Sequence, residues 1–139
     1  MDDNGMTSVI GQRLRKAREN LSASQLLLAG RFFNESVNRS YYAVFHAIRA
    51  VVAVKGFDSA KHSGIIAFFN AEFVKTGIFD KQISKIIDLA FRMREKSDYL
   101  DYFDVPKDDA ADLLGKARFV VSEVETWLIS EGHVEEERD

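Results

Sequence analysis

From Ser8 to Leu128 the apolar residues recur at helical spacing, and the breaks between successive runs are only a few residues long. Each run can bury only one stripe, so each needs another helix to pack against. Ile10, Leu14, Ala17, Leu21 and Leu28 mark a first helix that Gly30 stops. Asn34 is a suitable N-cap for a second helix reaching about Lys55, with Gly56 at its end. So short a connection makes the two an antiparallel pair. Ile65, Ile66, Phe68, Phe69, Phe73 and Val74 define a third helix, closed by Thr76-Gly77. Asp80 caps a fourth, with Ile83, Ile86, Ile87, Ala90 and Met93 on its buried stripe, fraying near Tyr99. Pro106 suits the first turn of a fifth, where Asp108 and Asp109 favour the helix dipole and Leu113 to Leu128 carry the core face. No strand-like alternation, repeat or low-complexity segment interrupts this pattern. The expected fold is all-α, an up-and-down antiparallel four- to five-helix bundle over residues 8–132. Residues 1–7 are expected to be a disordered N-terminus and residues 133–139 an acidic disordered tail.

Composition narrows the chemistry. Cysteine is absent, which removes disulfides and thiolate sites, and the histidines are His46, His62 and His133, without zinc-site spacing. There is no Gly-rich phosphate loop and no nucleophile elbow. No metal and no cofactor is therefore expected. No apolar run approaches a membrane span and the start is acidic, so a cytoplasmic location is expected. Residues 1–61 hold nine Lys/Arg against five Asp/Glu, and residues 62–139 hold ten against seventeen. This asymmetry either steers a phosphate-bearing ligand to the basic half or marks the solvated faces of helices.

Chemistry is plausible along Asn38-Arg39-Ser40-Tyr41-Tyr42-Ala43-Val44-Phe45-His46. At about 100° per residue, Arg39 and His46 share one side of the second helix, two turns apart, with Tyr42 between them. Val37, Tyr41, Val44 and Ile48 take the core side. Ala43, Ala50 and Ala53 are small enough on the polar side for another body to approach the backbone. His46 suits a general acid or base near neutral pH, and Arg39 suits a phosphate and the charge developing on it. If the substrate is RNA, its own 2′-hydroxyl is the nucleophile. The plain alternative is that His46 hydrogen-bonds inside the bundle while Arg39 pairs with a carboxylate.

Further residues join as supporting candidates. Tyr41 packs in the core with its hydroxyl on some partner. His62, after Lys61, either caps the third helix or supplies a second imidazole, and Lys61 there is a further cation. Arg94 and Asp98 are spaced to pair on the fourth helix. Alternatively they reach the second helix, Asp98 to orient His46 and Arg94 to add charge.

The strings Arg39-Ser40-Tyr41-Tyr42-Ala43-Val44-Phe45-His46, Lys61-His62-Ser63-Gly64, Arg94-Glu95-Lys96-Ser97-Asp98-Tyr99 and Ala117-Arg118-Phe119-Val120 together resemble the HEPN-domain family, in its small stand-alone prokaryotic branch. The resemblance implies a helical bundle that usually forms a homodimer. It also implies a metal-independent endoribonuclease of a toxin-antitoxin or phage-defence system, cutting RNA with an Arg-x6-His motif at the dimer cleft. Arg39 and His46 would be its catalytic pair and Tyr42 their orienter. Nuclease members often carry Asn, Asp or His after the Arg, where this chain has Ser40. The alternative it implies is a non-catalytic module bound, or modified on a tyrosine such as Tyr99 or Tyr102, by a small nucleotidyltransferase.

Overall fold

The computed structural model describes residues 3–100 and 103–136, and side chains from residue 9 onward. Five α-helices follow one another: α1 Asp3–Ala29, α2 Phe33–Ala53, α3 His62–Phe69, α4 Lys81–Tyr99 and α5 Lys107–Ser130. A single π-helical turn, Asn70–Val74, extends α3. The described residues contain no strand, and the helices pack as a bundle, as their periodicity requires. None of them is long and apolar enough to cross a membrane.

Helix α2 is the axis of the bundle. It touches each of the other four helices, and 13 of its 21 residues are buried. Val37, Tyr41, Val44 and Ile48 form the expected core stripe. A second stripe, Ser36, Ser40, Ala43, Ala47 and Ala50, spans about 80° of the helix and is also buried. Helix α1 covers it, bringing Ile10, Leu14, Ala17 and Ser24 against these small side chains. The small residues that the sequence offered to an outside body, Ala43, Ala50 and Ala53, are therefore buried within the chain itself. Three hydroxyls lie inside this seam: Ser24 Oγ is 2.8 Å from both Ser36 Oγ and Ser40 Oγ. Ser36 Oγ also donates to the Ser24 carbonyl at 3.0 Å.

The turn between α1 and α2 is tight. Arg31, not Gly30, takes the left-handed conformation, at φ 68°, and the Phe32 amide closes back on the Leu27 carbonyl at 2.8 Å. Asn34 does not cap α2. Phe32 precedes the helix, without a side-chain cap, and Asn34 lies inside it. Its amide instead spans to the approach of α5, accepting from the Val105 amide at 2.8 Å and donating to the Phe103 carbonyl at 2.9 Å. Asp80 caps α4 as expected, its carboxylate accepting from the Gln82 amide at 2.8 Å. Pro106 stands just ahead of α5, and Gly132 ends it at φ 77°. Helix α1 already begins at Asp3, and His133 packs its ring against Trp127, 5.8 Å between centroids.

Candidate active site

On the outer side of α2, Arg39, Tyr42, His46 and Arg49 follow one another at helical spacing, none of them in the core. Helix α1 flanks this row on one side, and the start of α3 and the end of α4 flank the other.

Tyr42 is the hub. Its ring centroid lies 6.1 Å from that of His46 and 5.9 Å from that of His62, the latter edge-on. Its hydroxyl accepts from Arg94 Nη2 at 3.3 Å. The sequence placed Tyr42 between Arg39 and His46; in space it stands between two imidazoles and a guanidinium. Arg39 points elsewhere. Its Nη1 donates to Asn20 Oδ1 of α1 at 3.3 Å, and the residue is exposed two turns from His46. Its partner is an amide rather than the carboxylate that the plain alternative called for.

His46 is half-buried. Burial lowers its pKa, and the neighbouring charges of Arg49, Lys16, Arg13 and then His62 add to the shift. At neutral pH the ring is therefore uncharged and able to take a proton. In the sequence the cations around it, Arg13, Lys16 and Arg49, were visible only as part of the basic excess of residues 1–61. The available signal was spacing, because Arg49 follows His46 by three positions on one helix face.

His62 is not the cap of α3. Lys61 takes the cap position, without a side-chain hydrogen bond, and is otherwise exposed. The His62 ring folds back onto α2, stacking on Phe45 at 3.9 Å between centroids. Its Nδ1 is 2.7 Å from the Tyr41 hydroxyl, the partner that this core phenol required. Burial pushes Tyr41 up to about 12, so the phenol keeps its proton at neutral pH, and the His62 tautomer sets which of the hydroxyl and Nδ1 donates in this bond. His62 itself is lowered, first by burial, then by Arg94 and Arg49.

Arg94 binds this arrangement together. Its guanidinium lies 5.2 Å from the Tyr41 ring centroid and 5.4 Å from that of Tyr42. Asp98 pairs with it along α4, Oδ2 3.0 Å from Nε but off the hydrogen-bond line. The Asp98 carboxylate thus serves Arg94 on its own helix rather than His46. Tyr99 is 74% exposed at the end of α4, and Tyr102 lies outside the described residues. Ser40 is fully buried and faces α1, so its side chain takes no part in this row.

Around α2, then, a neutral imidazole, a second imidazole fixed by a phenol, and several guanidinium groups share one helix face. This defines the chain as a helical bundle built around an Arg-x6-His helix. A family model described as the HEPN domain matches residues 10–127, and the chain belongs to that family. It is 36% identical over 114 residues to a "UPF0332 protein" of Thermotoga maritima, covering 82% of this chain and 86% of that one. It is 31% identical over 126 residues to "Putative toxin MJ0142" of Methanocaldococcus jannaschii, covering 91% of this chain and 86% of that one. A second protein of that archaeon, "Putative toxin MJ0605", is 32% identical over 113 residues, covering 81% and 83%.

Proposed function

We propose that the chain is a toxin-type endoribonuclease in which His46 moves the proton and the RNA supplies its own nucleophile. The observation that carries this is a half-buried His46 kept uncharged among Arg49, Lys16 and Arg13. A neutral imidazole can remove the proton of a 2′-hydroxyl, while the cations favour the phosphate that it attacks. Attack on the adjacent phosphorus breaks its bond to the 5′-oxygen, which leaves with the proton that His46 took up or one from water, giving a 2′,3′-cyclic phosphate and a 5′-hydroxyl. Tyr42 sets the face of the His46 ring, and Arg94 fixes Tyr42. Arg39, two turns along the same face, meets the strand at another phosphate. His62 supports Tyr42 from the other side. The names of the two archaeal relatives agree with a toxin role. A homodimer would bring two such rows together at one cleft.

The test is induced expression of wild type and His46→Ala in bacteria, with growth and RNA integrity followed together. Arrest with RNA breakdown in the wild type and neither in the variant is expected, because losing general acid–base catalysis costs roughly 10²–10⁴ in rate. Equal breakdown by both proteins refutes the assignment.

One observation favours a second reading. The exposed Tyr99 phenol presents an acceptor to a nucleotidyltransferase partner. Mass spectrometry of the chain after incubation with such an enzyme and a nucleoside triphosphate would show one added nucleotide, absent in Tyr99→Phe.

A further inference from the structure

Two of the cations beside His46, Arg13 and Arg49, share a counter-ion from the chain itself. Asp58, in the loop between α2 and α3, accepts from Arg49 through both carboxylate oxygens, Oδ1 from Nε at 3.1 Å and Oδ2 from Nη2 at 3.0 Å. Arg13 Nη2 of α1 reaches the same Oδ2 at 3.3 Å. Two guanidinium groups from different helices thus converge on one carboxylate. A planar bidentate fork onto two oxygens is also how arginine holds a phosphate.

Arg13 is held independently of Asp58, whereas the hydrogen bonds of the Arg49 side chain go to that carboxylate. Arg13 donates through Nη1 to the Arg49 backbone carbonyl at 3.0 Å, a bond that survives if the carboxylate leaves. Asp58, by contrast, is half exposed and tethered by a short loop. Its Oδ1 also accepts from the Ser59 amide at 2.9 Å, and its exposed side is where another anion can reach the two guanidinium groups and exchange with it.

We propose that Arg13 and Arg49 form a phosphate subsite for single-stranded RNA next to His46, and that Asp58 fills it until the strand displaces the carboxylate. The proposal rests on the nuclease reading for the identity of the ligand. The carboxylate holds the two like charges together in the empty site, lessening their repulsion, and sets a threshold that a lone small anion passes less readily than a polyanion. A strand that also meets Arg39 and Lys16 gains from several phosphates at once, so it competes with Asp58 far better than a mononucleotide does.

The experiment is fluorescence anisotropy of a labelled, 2′-O-methylated single-stranded RNA titrated with the full chain at several salt concentrations. The methylated strand cannot be cut, so binding is read apart from cleavage. Asp58→Asn should bind about three- to tenfold more tightly than wild type at the same salt. Arg49→Gln should bind more weakly and lower the salt slope by about 0.7, the share of one phosphate contact on a single strand. Arg49→Lys should keep most of that slope. Arg49 lies outside the core, and circular dichroism checks that each variant folds. Asp58→Asn binding no more tightly than wild type, or Arg49→Gln keeping the full slope, overturns the proposal. Tighter binding by Asp58→Asn without any cleavage of unmodified RNA by wild type sinks the nuclease reading and keeps the subsite. Cleavage with no gain in Asp58→Asn does the reverse.

Discussion

Tyr41→Phe isolates one atom of the site. The ring keeps its contacts with Tyr42, Phe45, His62 and Phe91, and the guanidinium of Arg94 stays over its face. Only the 2.7 Å bond to His62 Nδ1 is lost. A neutral hydrogen bond contributes about 1 kcal/mol net, and an imidazole nitrogen left unpaired in a half-buried place adds somewhat more, so the cost should be about 1–2 kcal/mol. In a domain of this size that lowers Tm by roughly 4–6 °C. Alkaline stability supplies a second signature. The folded Tyr41 lies at about 12 against 10.0 for a free phenol. Its contribution is therefore complete below pH 10 and is lost as pH rises from 10 towards 12, to the extent of on the order of 2 kcal/mol. Urea unfolding followed by the single tryptophan, Trp127, at pH 7, 9 and 11 reads both effects. Tyr41→Phe should be less stable at pH 7 and lose less between pH 9 and 11. An unchanged Tm together with an alkaline fall equal to that of wild type would refute the assignment of this bond.

Three other perturbations have defined outcomes. His46 and His62 are both lowered, so the neutral rings favour the native state: their stability is complete above pH 6.5 and is lost as pH falls through the folded values. His46→Gln should flatten the urea-midpoint profile between pH 7 and 5, and an unchanged slope counts against a buried, neutral His46. Gly64→Ala would place a Cβ 2.7 Å from Ser59 Oγ, costing about 1–2 kcal/mol, and Ser59→Ala in the same chain should recover part of that loss in thermal melts. Asn34→Ala cuts both bonds to the approach of α5, for about 1–2 kcal/mol and faster hydrogen exchange at the Val105 amide; exchange at the wild-type rate would show that the clamp does not hold the loop.

The fold was legible because helix periodicity is local. Five apolar stripes and the Asp80 cap need only neighbours along the chain to be recognised. What escaped the sequence depends on distant partners. Asn34 has the right chemistry for a cap, yet its partners are 69 and 71 residues away, so its true use is invisible locally. A helical wheel shows that Ala43 and Ala50 share a side, but not that α1 covers it. Tyr41 plainly needed a hydroxyl partner, and only the packing of α3 onto α2 shows that His62 is the one. The Arg39–His46 spacing drew attention to the face of α2 that stays outside the core. The charges acting on His46 come from α1 and α2, their counter-ion Asp58 from the loop after α2, and no single stretch displays them together.

The buried serines between α1 and α2 have a consequence for the choice among alternative folds. A helix face of small side chains gives few knobs to fix the helix packed on it, so the α2 side of this seam does little by itself to set the register. Sliding by one turn, about 5.4 Å, would part Ser24 from Ser36 and Ser40 and leave hydroxyls buried without partners, at about 1–3 kcal/mol each. The same slip would draw Arg13 away from the Arg49 carbonyl and from Asp58. Three hydroxyls buried away from the His46 row thus act as a detent that keeps the cations of one helix level with the imidazole of the other.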